Sequence, residues 1–361
     1  MERVSFGIVG GGWRAEFFLR IAAELPDRFQ VAGMFVRNQA KARALEEKFG
    51  VRTYRSLDEL LKSSDPLFVV VSVSWEACPR MLTALAQRGV PALSETPPAP
   101  DVEALTALHE LVQSGAKIQV AEQYIFQPLH AARLAIAGSG KLGTVTQAQV
   151  SAAHGYHGVS LIRHLLGVGF DEVTISAYQF TSAIVAGPGR VGPPAEEKLT
   201  DSVQTIARLD WGRKLGVYDF TGEQYFSWIR SPRVLVRGER GEINNTSVRY
   251  LVDFLTPAQV ELVRCDAGQA GNLEGYYHKG YLAGGEWVYR NPFAPGRLTD
   301  DEIAVATCLA GMADYVRGGP DVYSLADAAQ DRYLDIMMSK ALETGKRIAV
   351  ASPPWASHER G

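Results

Sequence analysis

A chain of 361 residues is longer than one hydrophobic core usually grows, which favours two domains and excludes a small single module. Hydrophobic residues make up 46% and charged residues 21%, too apolar for a disordered chain and enough to bury substantial cores. With 37 Lys and Arg against 40 Asp and Glu, a net charge of -3, the chain lacks the positive field that holds a polyanion, and nucleic acid is not expected as a partner.

The apolar stretch from Val4 to Gly12 is too short to cross a bilayer, lacks a small-residue cleavage pattern and runs straight into glycines, so it reads as a strand and no membrane association is expected. A helical run from Trp13 to Leu25 follows, then a strand over Gln30 to Val36 and a helix over Ala40 to Phe49 that Gly50 ends. Leu67 to Val73 is a strand whose valines suit a sheet buried on both faces. A helix over Pro79 to Gln87, a strand over Val90 to Ser94, a helix over Asp101 to Gln113 and a strand around Ile118 to Glu122 complete a run of βα units, the pattern of a parallel sheet covered by helices.

From about residue 144 the pattern changes to longer alternating runs: Val145 to Ser151, Val173 to Ile184, Ser202 to Leu209, Leu215 to Thr221 and Arg233 to Val236. These predict a large, mostly antiparallel open sheet, so the fold class is α/β with a first domain over residues 1–123 and a second over 124–361. Gly187 to Pro194 and Gly268 to Gly285 read as long loops, and Asp301 to Val316 and Leu325 to Thr344 as two helices. Cys78, Cys265 and Cys308 form no C-x-x-C pair and no zinc-like spacing, which points to a reducing cytoplasm and no metal site.

Gly10-Gly11-Gly12-Trp13-Arg14-Ala15 matches G-x-G-x-x-A between the first strand and the first helix. Gly10 allows the tight turn, Gly12 lets a pyrophosphate approach the backbone, and the helix start offers amide donors and the positive end of its dipole. Ser72, Ser74, Trp75, Glu95 and Gln123, at or just past the ends of later strands, extend this candidate cofactor site. An NAD site usually carries Asp or Glu about 20 residues on to bind the ribose hydroxyl. Here Val36 is followed by Arg37, whose planar fork suits a 2'-phosphate, so the choice between NADP and NAD tips toward NADP.

Further segments extend the match. Ala84 to Gly89, Glu95-Thr96-Pro97, Gln123-Tyr124 with Pro128, Gly140 to Gly143, Val234 to Gly241 and Ala341 to Gly345 follow one another in an order that resembles the glucose-fructose oxidoreductase and inositol dehydrogenase (Gfo/Idh/MocA) family over nearly the whole chain. The resemblance implies a Rossmann domain, a second domain with a large open sheet, a nicotinamide-bearing cleft between them, a small-molecule substrate, and homo-oligomers, dimers or tetramers, formed through the sheet face.

The resemblance also shows what is altered. The family takes a Lys from Glu-Lys-Pro together with an Asp four positions before a His; here Thr96 stands at the Lys place, Ala153 at the Asp place and His157 at the His place. A threonine hydroxyl is too weakly acidic to act as a base alone and is left a supporting role. His157, an imidazole with an ordinary pKa of about 6.5, is the candidate acid/base, with Tyr156 or His154 to orient it. Where the family has Thr-Pro-Asn and then a His, this chain has Val73-Ser74-Trp75 and Cys78; Trp75 and Cys78 read most simply as core residues, and so does His164 on the helix running to Leu166.

Three functions are open on these residues: an NAD(P)-dependent oxidoreductase acting on a sugar, polyol or related hydroxylated compound; a hydrolase or lyase in which tightly bound NAD accepts hydride transiently; and a dinucleotide-binding regulator without catalysis.

Overall fold

The computed structural model describes residues 2–268 and 275–358. The first sheet comprises β1 (Val4–Val9), β2 (Phe29–Phe35), β3 (Thr53–Tyr54), β4 (Phe68–Val71), β5 (Ala92–Ser94) and β6 (Ile118–Val120). The connections are α1 (Ala15–Glu24), α2 (Gln39–Phe49), α3 (Leu57–Ser64), α4 (Cys78–Ala86) and α5 (Val102–Gln113). All neighbours are parallel in the order β3-β2-β1-β4-β5-β6. β4, Phe-Val-Val-Val, is buried at every position because helices cover both faces of a central parallel strand. Side-chain caps fix the helix starts: Asn38, Ser56 and Asp101 each accept the amide three residues on. The chain leaves β1 toward β2 and β3, then returns to β4 on the other side of β1. The crevice at this switch point is where such sheets bind ligands.

A single 3-10 turn (Tyr124–Phe126) and α6 (Pro128–Gly138) lead into the second sheet. It is built from β7 (Val145–Ser151), β8 (Val173–Val185), β9 (Leu199–Asp210), β10 (Leu215–Thr221), β11 (Arg233–Gly238), β12 (Gly241–Asn244), β13 (Ser247–Leu251), β14 (Pro257–Ala267), β15 (Tyr277–Ala283), β16 (Glu286–Arg290) and β17 (Ile348–Val350). Their order is β16-β15-β14-β13-β12-β11-β7-β10-β9-β8-β17, and among the described residues only β7 and β10 pair in parallel. α7 (Gly155–Leu166) lies between β7 and β8 in the chain. Its Ile162 and Leu165 join Val150, Leu209, Val236 and Leu334 in the second core.

The strands divide between the two sheets near residue 123, but the helices do not. α8 (Asp300–Val316) packs Ile303, Leu309 and Met312 into one core with Phe6, Ile8, Phe18 and Ile21 of the first sheet and α1. α9 (Leu325–Thr344) places Leu325, Ala328 and Ala329 against Leu85, Leu105 and Leu108, while its later residues Leu334, Met338 and Ala341 belong to the second core. A buried ion pair, Arg163 Nη1 to Asp331 Oδ1 at 2.6 Å, ties α7 to α9.

The stretch Gly268 to Gly285, expected to be a loop, is a strand over Tyr277–Ala283, and residues 269–274 lie outside the described residues. Its glycines have positional reasons. Gly284 and Gly285, with φ of 59° and 88°, form the two-residue turn between β15 and β16, and a Cβ at Gly280 would fall 2.2 Å from the Tyr289 carbonyl oxygen. Among the described residues no helix is long and apolar enough to cross a membrane.

Candidate active site

Two adjoining cavities of about 740 Å³ each open at the C-terminal ends of β1, β4 and β5, and Trp13, Arg14, Ser72, Val73 and Ser74 line both. The first is a groove over the glycine turn. Gly10, with φ of 119°, lies so close to β4 that a Cβ there would fall 1.8 Å from the Ser72 carbonyl oxygen. At Gly12 a Cβ would meet nothing within 4 Å, so the backbone beside the first turn of α1 is bare toward the groove. That is the cradle a pyrophosphate needs. Gly11 and Arg37 line the same groove, joined by Asn38, Lys41 and Arg80; among the described residues no Asp or Glu does.

The second cavity is the cleft between the two sheets. Glu95, Thr96, Gln123, Tyr156 and His157 line it together with Trp75, which is 43% exposed and therefore a cleft wall, not the core residue expected. Cys78 is a core residue as expected, whereas His164 is only half-buried. The Cys78 thiol is buried 3.2 Å from Ser94 Oγ, and His164 hydrogen-bonds the Ser160 carbonyl. Arg14 Nε donates to Glu95 Oε1 at 2.9 Å, but Arg14 Nη2 and Gln123 Oε1 are buried without a hydrogen-bond partner among the described residues, one donor and one acceptor left for a ligand.

His157 sits in the first turn of α7, whose start is fixed by close contact with the sheet: a Cβ at Gly158 would lie 2.6 Å from the Tyr218 ring. The partner that orients its ring is neither Tyr156 nor His154. It is Glu122, one residue past Ala121 at the exit of β6, whose Oε2 lies 2.6 Å from His157 Nδ1, both side chains being buried. His154 instead pairs with Tyr225, Nδ1 to Oη 2.6 Å, and its ring meets His157 edge-on at 5.0 Å. Tyr124 and Tyr156 flank the imidazole at 4.5 Å and 4.4 Å between ring centres. Burial pushes His157 down to about 3 and Glu122 up to about 8. Burial likewise raises Tyr156, against a hydrogen bond from Thr96, so it stays a neutral phenol.

Residues 4–123 match the profile of the Gfo/Idh/MocA oxidoreductase family, NAD-binding Rossmann fold. That match spans about a third of the chain. No curated protein sequence matches it. Solved structures resemble it over nearly its whole length. One is an oxidoreductase from Agrobacterium radiobacter in complex with NAD+, L-tartaric acid and magnesium, 15% identical over 97% of this chain and 98% of that one, TM-score 0.67. Others are the WlbA dehydrogenase from Bordetella pertussis in complex with NADH and UDP-GlcNAcA (17%, 97% and 99%, TM-score 0.64) and apo scyllo-inositol dehydrogenase from Lactobacillus casei (15%, 97% and 99%, TM-score 0.65). At these identities the likeness is one of fold. The chain thus has an NAD-binding Rossmann domain and, beside it, a cleft whose walls come from both halves of the chain.

Sequence reasoning missed several groups there. Tyr225, Phe226 and Asp301 enter from distant elements, and Arg190, on the Gly187 to Pro194 loop, lies 4.1 Å over the Trp13 ring. None sits in a local motif. Glu122 had a readable signal, being the first charge after the apolar end of a buried strand.

Proposed function

We propose that the protein is a dehydrogenase that interconverts a secondary alcohol and a carbonyl on a sugar, polyol or related hydroxylated small molecule, using NADP(H) in preference to NAD(H), with His157 as acid/base. The observation that carries this is the position of His157: Nδ1 is held by Glu122, Nε2 has no hydrogen-bond partner among the described residues, and the residue lines a cleft that shares five wall residues with the glycine-turn groove. A bound nicotinamide cofactor supplies the acceptor or donor of a hydrogen with two electrons. The protein's own task is to hold the substrate oxygen and move its proton, which Nε2 suits. Gly10 to Arg14 would hold the pyrophosphate, and Ser72, Ser74, Trp75, Glu95 and Gln123 would line the way to the nicotinamide. Arg37, Lys41 and Arg80 support a 2'-phosphate, since the groove offers cations and, among the described residues, no acid to bind a ribose hydroxyl.

The test is a panel of polyols, sugars and keto sugars with each cofactor, followed at the reduced-nicotinamide absorbance band. Net cofactor turnover with one of them, lowered about 10²- to 10⁴-fold in kcat by His157→Ala with cofactor affinity unchanged, is the expected result. Thr96 and Ala153 keep a second reading in play, a hydrolase or lyase with transient hydride acceptance. Product without net cofactor change would replace the dehydrogenase by it, and cofactor binding without any turnover would leave a regulator.

The same reading includes a homo-oligomer formed through the open face of the second sheet. Tyr178 and Phe180 of β8 stand 59% and 55% exposed there, opposite the helix-covered side to which Val173 and Ile175 point. Light scattering gives the mass directly, and a monomer at micromolar concentration would dismiss this part.

A further inference from the structure

The orienting carboxyl behind His157 is more than a hydrogen-bond partner. We propose that Glu122 and His157 work as one acid/base unit, in which Glu122, a positioning residue out of the substrate's reach, fixes Nδ1 and takes up the charge while Nε2 meets the substrate oxygen. This rests on the dehydrogenase reading above.

Three observations carry it. The Oε2 to Nδ1 distance is 2.6 Å with both side chains almost wholly buried, so the two groups are directly hydrogen-bonded in a site of low dielectric, where each strongly biases the protonation of the other. The other carboxyl oxygen, Oε1, accepts the Tyr124 amide at 3.1 Å, which fixes the carboxyl plane. His157 also lies in the first turn of α7, where the helix dipole disfavours a lone imidazolium.

A buried pair resists net charge of either sign. The form with one proton beyond carboxylate and neutral imidazole is uncharged overall, and burial favours it at both partners, pushing Glu122 up to about 8 and His157 down to about 3. In that form Nε2 bears a hydrogen and acts as an acid. When the pair loses its proton, Nδ1–H donates to the carboxylate and Nε2 becomes a base.

Oxidation of an alcohol then balances as follows. The hydroxyl proton passes to Nε2, the Nδ1 proton moves to Glu122 Oε2, and the carbinol hydrogen leaves with its two electrons to the oxidised nicotinamide cofactor, giving a carbonyl and an uncharged pair. Carbonyl reduction runs the same path backward. The surrounding charges are Arg14, paired with Glu95 and opposed to a protonated His157; Asp331 on α9 and Asp301 on α8, which favour it; and His164 on α7, which favours the Glu122 carboxylate. Tyr124, Tyr156 and His154 pack on the ring.

The experiment is ¹⁵N nuclear magnetic resonance of the full chain labelled at histidine side chains, with His157 assigned from its loss in His157→Gln. The expected result is Nε2 protonated at neutral pH and a single step through about pH 8, absent in Glu122→Gln and retained in Glu122→Asp. Turnover in the oxidising direction should rise through the same step in the wild type, and Glu122→Gln should lower kcat about tenfold or more with KM little changed. A His157 that titrates as a lone imidazole near pH 6.5, or a step that survives in Glu122→Gln, overturns the pair. Should Glu122→Gln not fold, carboxyl ¹³C shifts of Glu122 in the wild type decide: ionisation complete by pH 6 overturns it, ionisation in the step near 8 supports it. The two readings fail separately. Undiminished turnover in His157→Ala removes the acid/base role and the unit with it, whereas an unaltered step in Glu122→Gln with turnover lost in His157→Ala removes only the part given to Glu122.

Discussion

Two glycines of one turn separate folding from binding. At Gly10 an added methyl meets the Ser72 carbonyl, whereas at Gly12 it meets empty groove. Gly10→Ala should therefore lower the melting temperature, while Gly12→Val should melt like the wild type and fail to quench or enhance fluorescence on titration with NADPH; a folded Gly12→Val with unchanged affinity would remove the cofactor from this groove. Arg37, exposed on the same groove, tests the cofactor choice: Arg37→Ala should weaken NADP by about 1.5–3 kcal/mol, roughly ten- to a hundredfold, and NAD much less. Equal losses for both would make it a bystander. At this scale legibility followed sequence distance. The glycine turn was readable because its parts are adjacent in sequence, while Glu122, Tyr225, Asp301 and Arg190 converge only through the fold and carry no local spacing.

At the scale of elements, the βα alternation of the first sheet and the long period-two strands of the second were legible because burial on two faces and on one leave different apolar rhythms. Strand Leu215–Thr221 and helix Leu325–Thr344 stand at the residues expected. Composition misled at Gly268 to Gly285, since a glycine that lets a neighbouring backbone approach looks the same in sequence as one in a loop. The docking of α8 was also illegible, because an apolar helix face does not say which sheet it covers. Leu309→Ala tests that docking: the side chain is fully buried among first-sheet residues, so its truncation should destabilise the protein by about 2–5 kcal/mol, measured by urea unfolding. A loss under about 0.5 kcal/mol would mean that α8 does not cover that sheet.

For the whole molecule, the buried pair links stability to pH. Glu122 is raised from 4.5 to about 8, so its contribution is present below 4.5 and lost as pH climbs toward 8; His157 is lowered from 6.5 to about 3, so its contribution is present above 6.5 and lost as pH falls toward 3. The two slopes oppose each other between 4.5 and 6.5, and above 6.5 only the first remains. Melting temperature should accordingly fall between pH 6.5 and 8, by the equivalent of about 1–2 kcal/mol, and Glu122→Gln should flatten that fall. An equally steep fall in Glu122→Gln would assign it to other groups. The docking of α8 and α9 onto the first sheet has one more consequence, felt during synthesis. When β6 leaves the ribosome the parallel sheet is complete, yet part of its cover lies beyond residue 299. At roughly 5–20 residues per second the nascent chain waits on the order of ten to forty seconds with Phe18, Ile21 and Leu108 uncovered, which makes this half of the protein a natural client for a chaperone that holds apolar surface until translation ends.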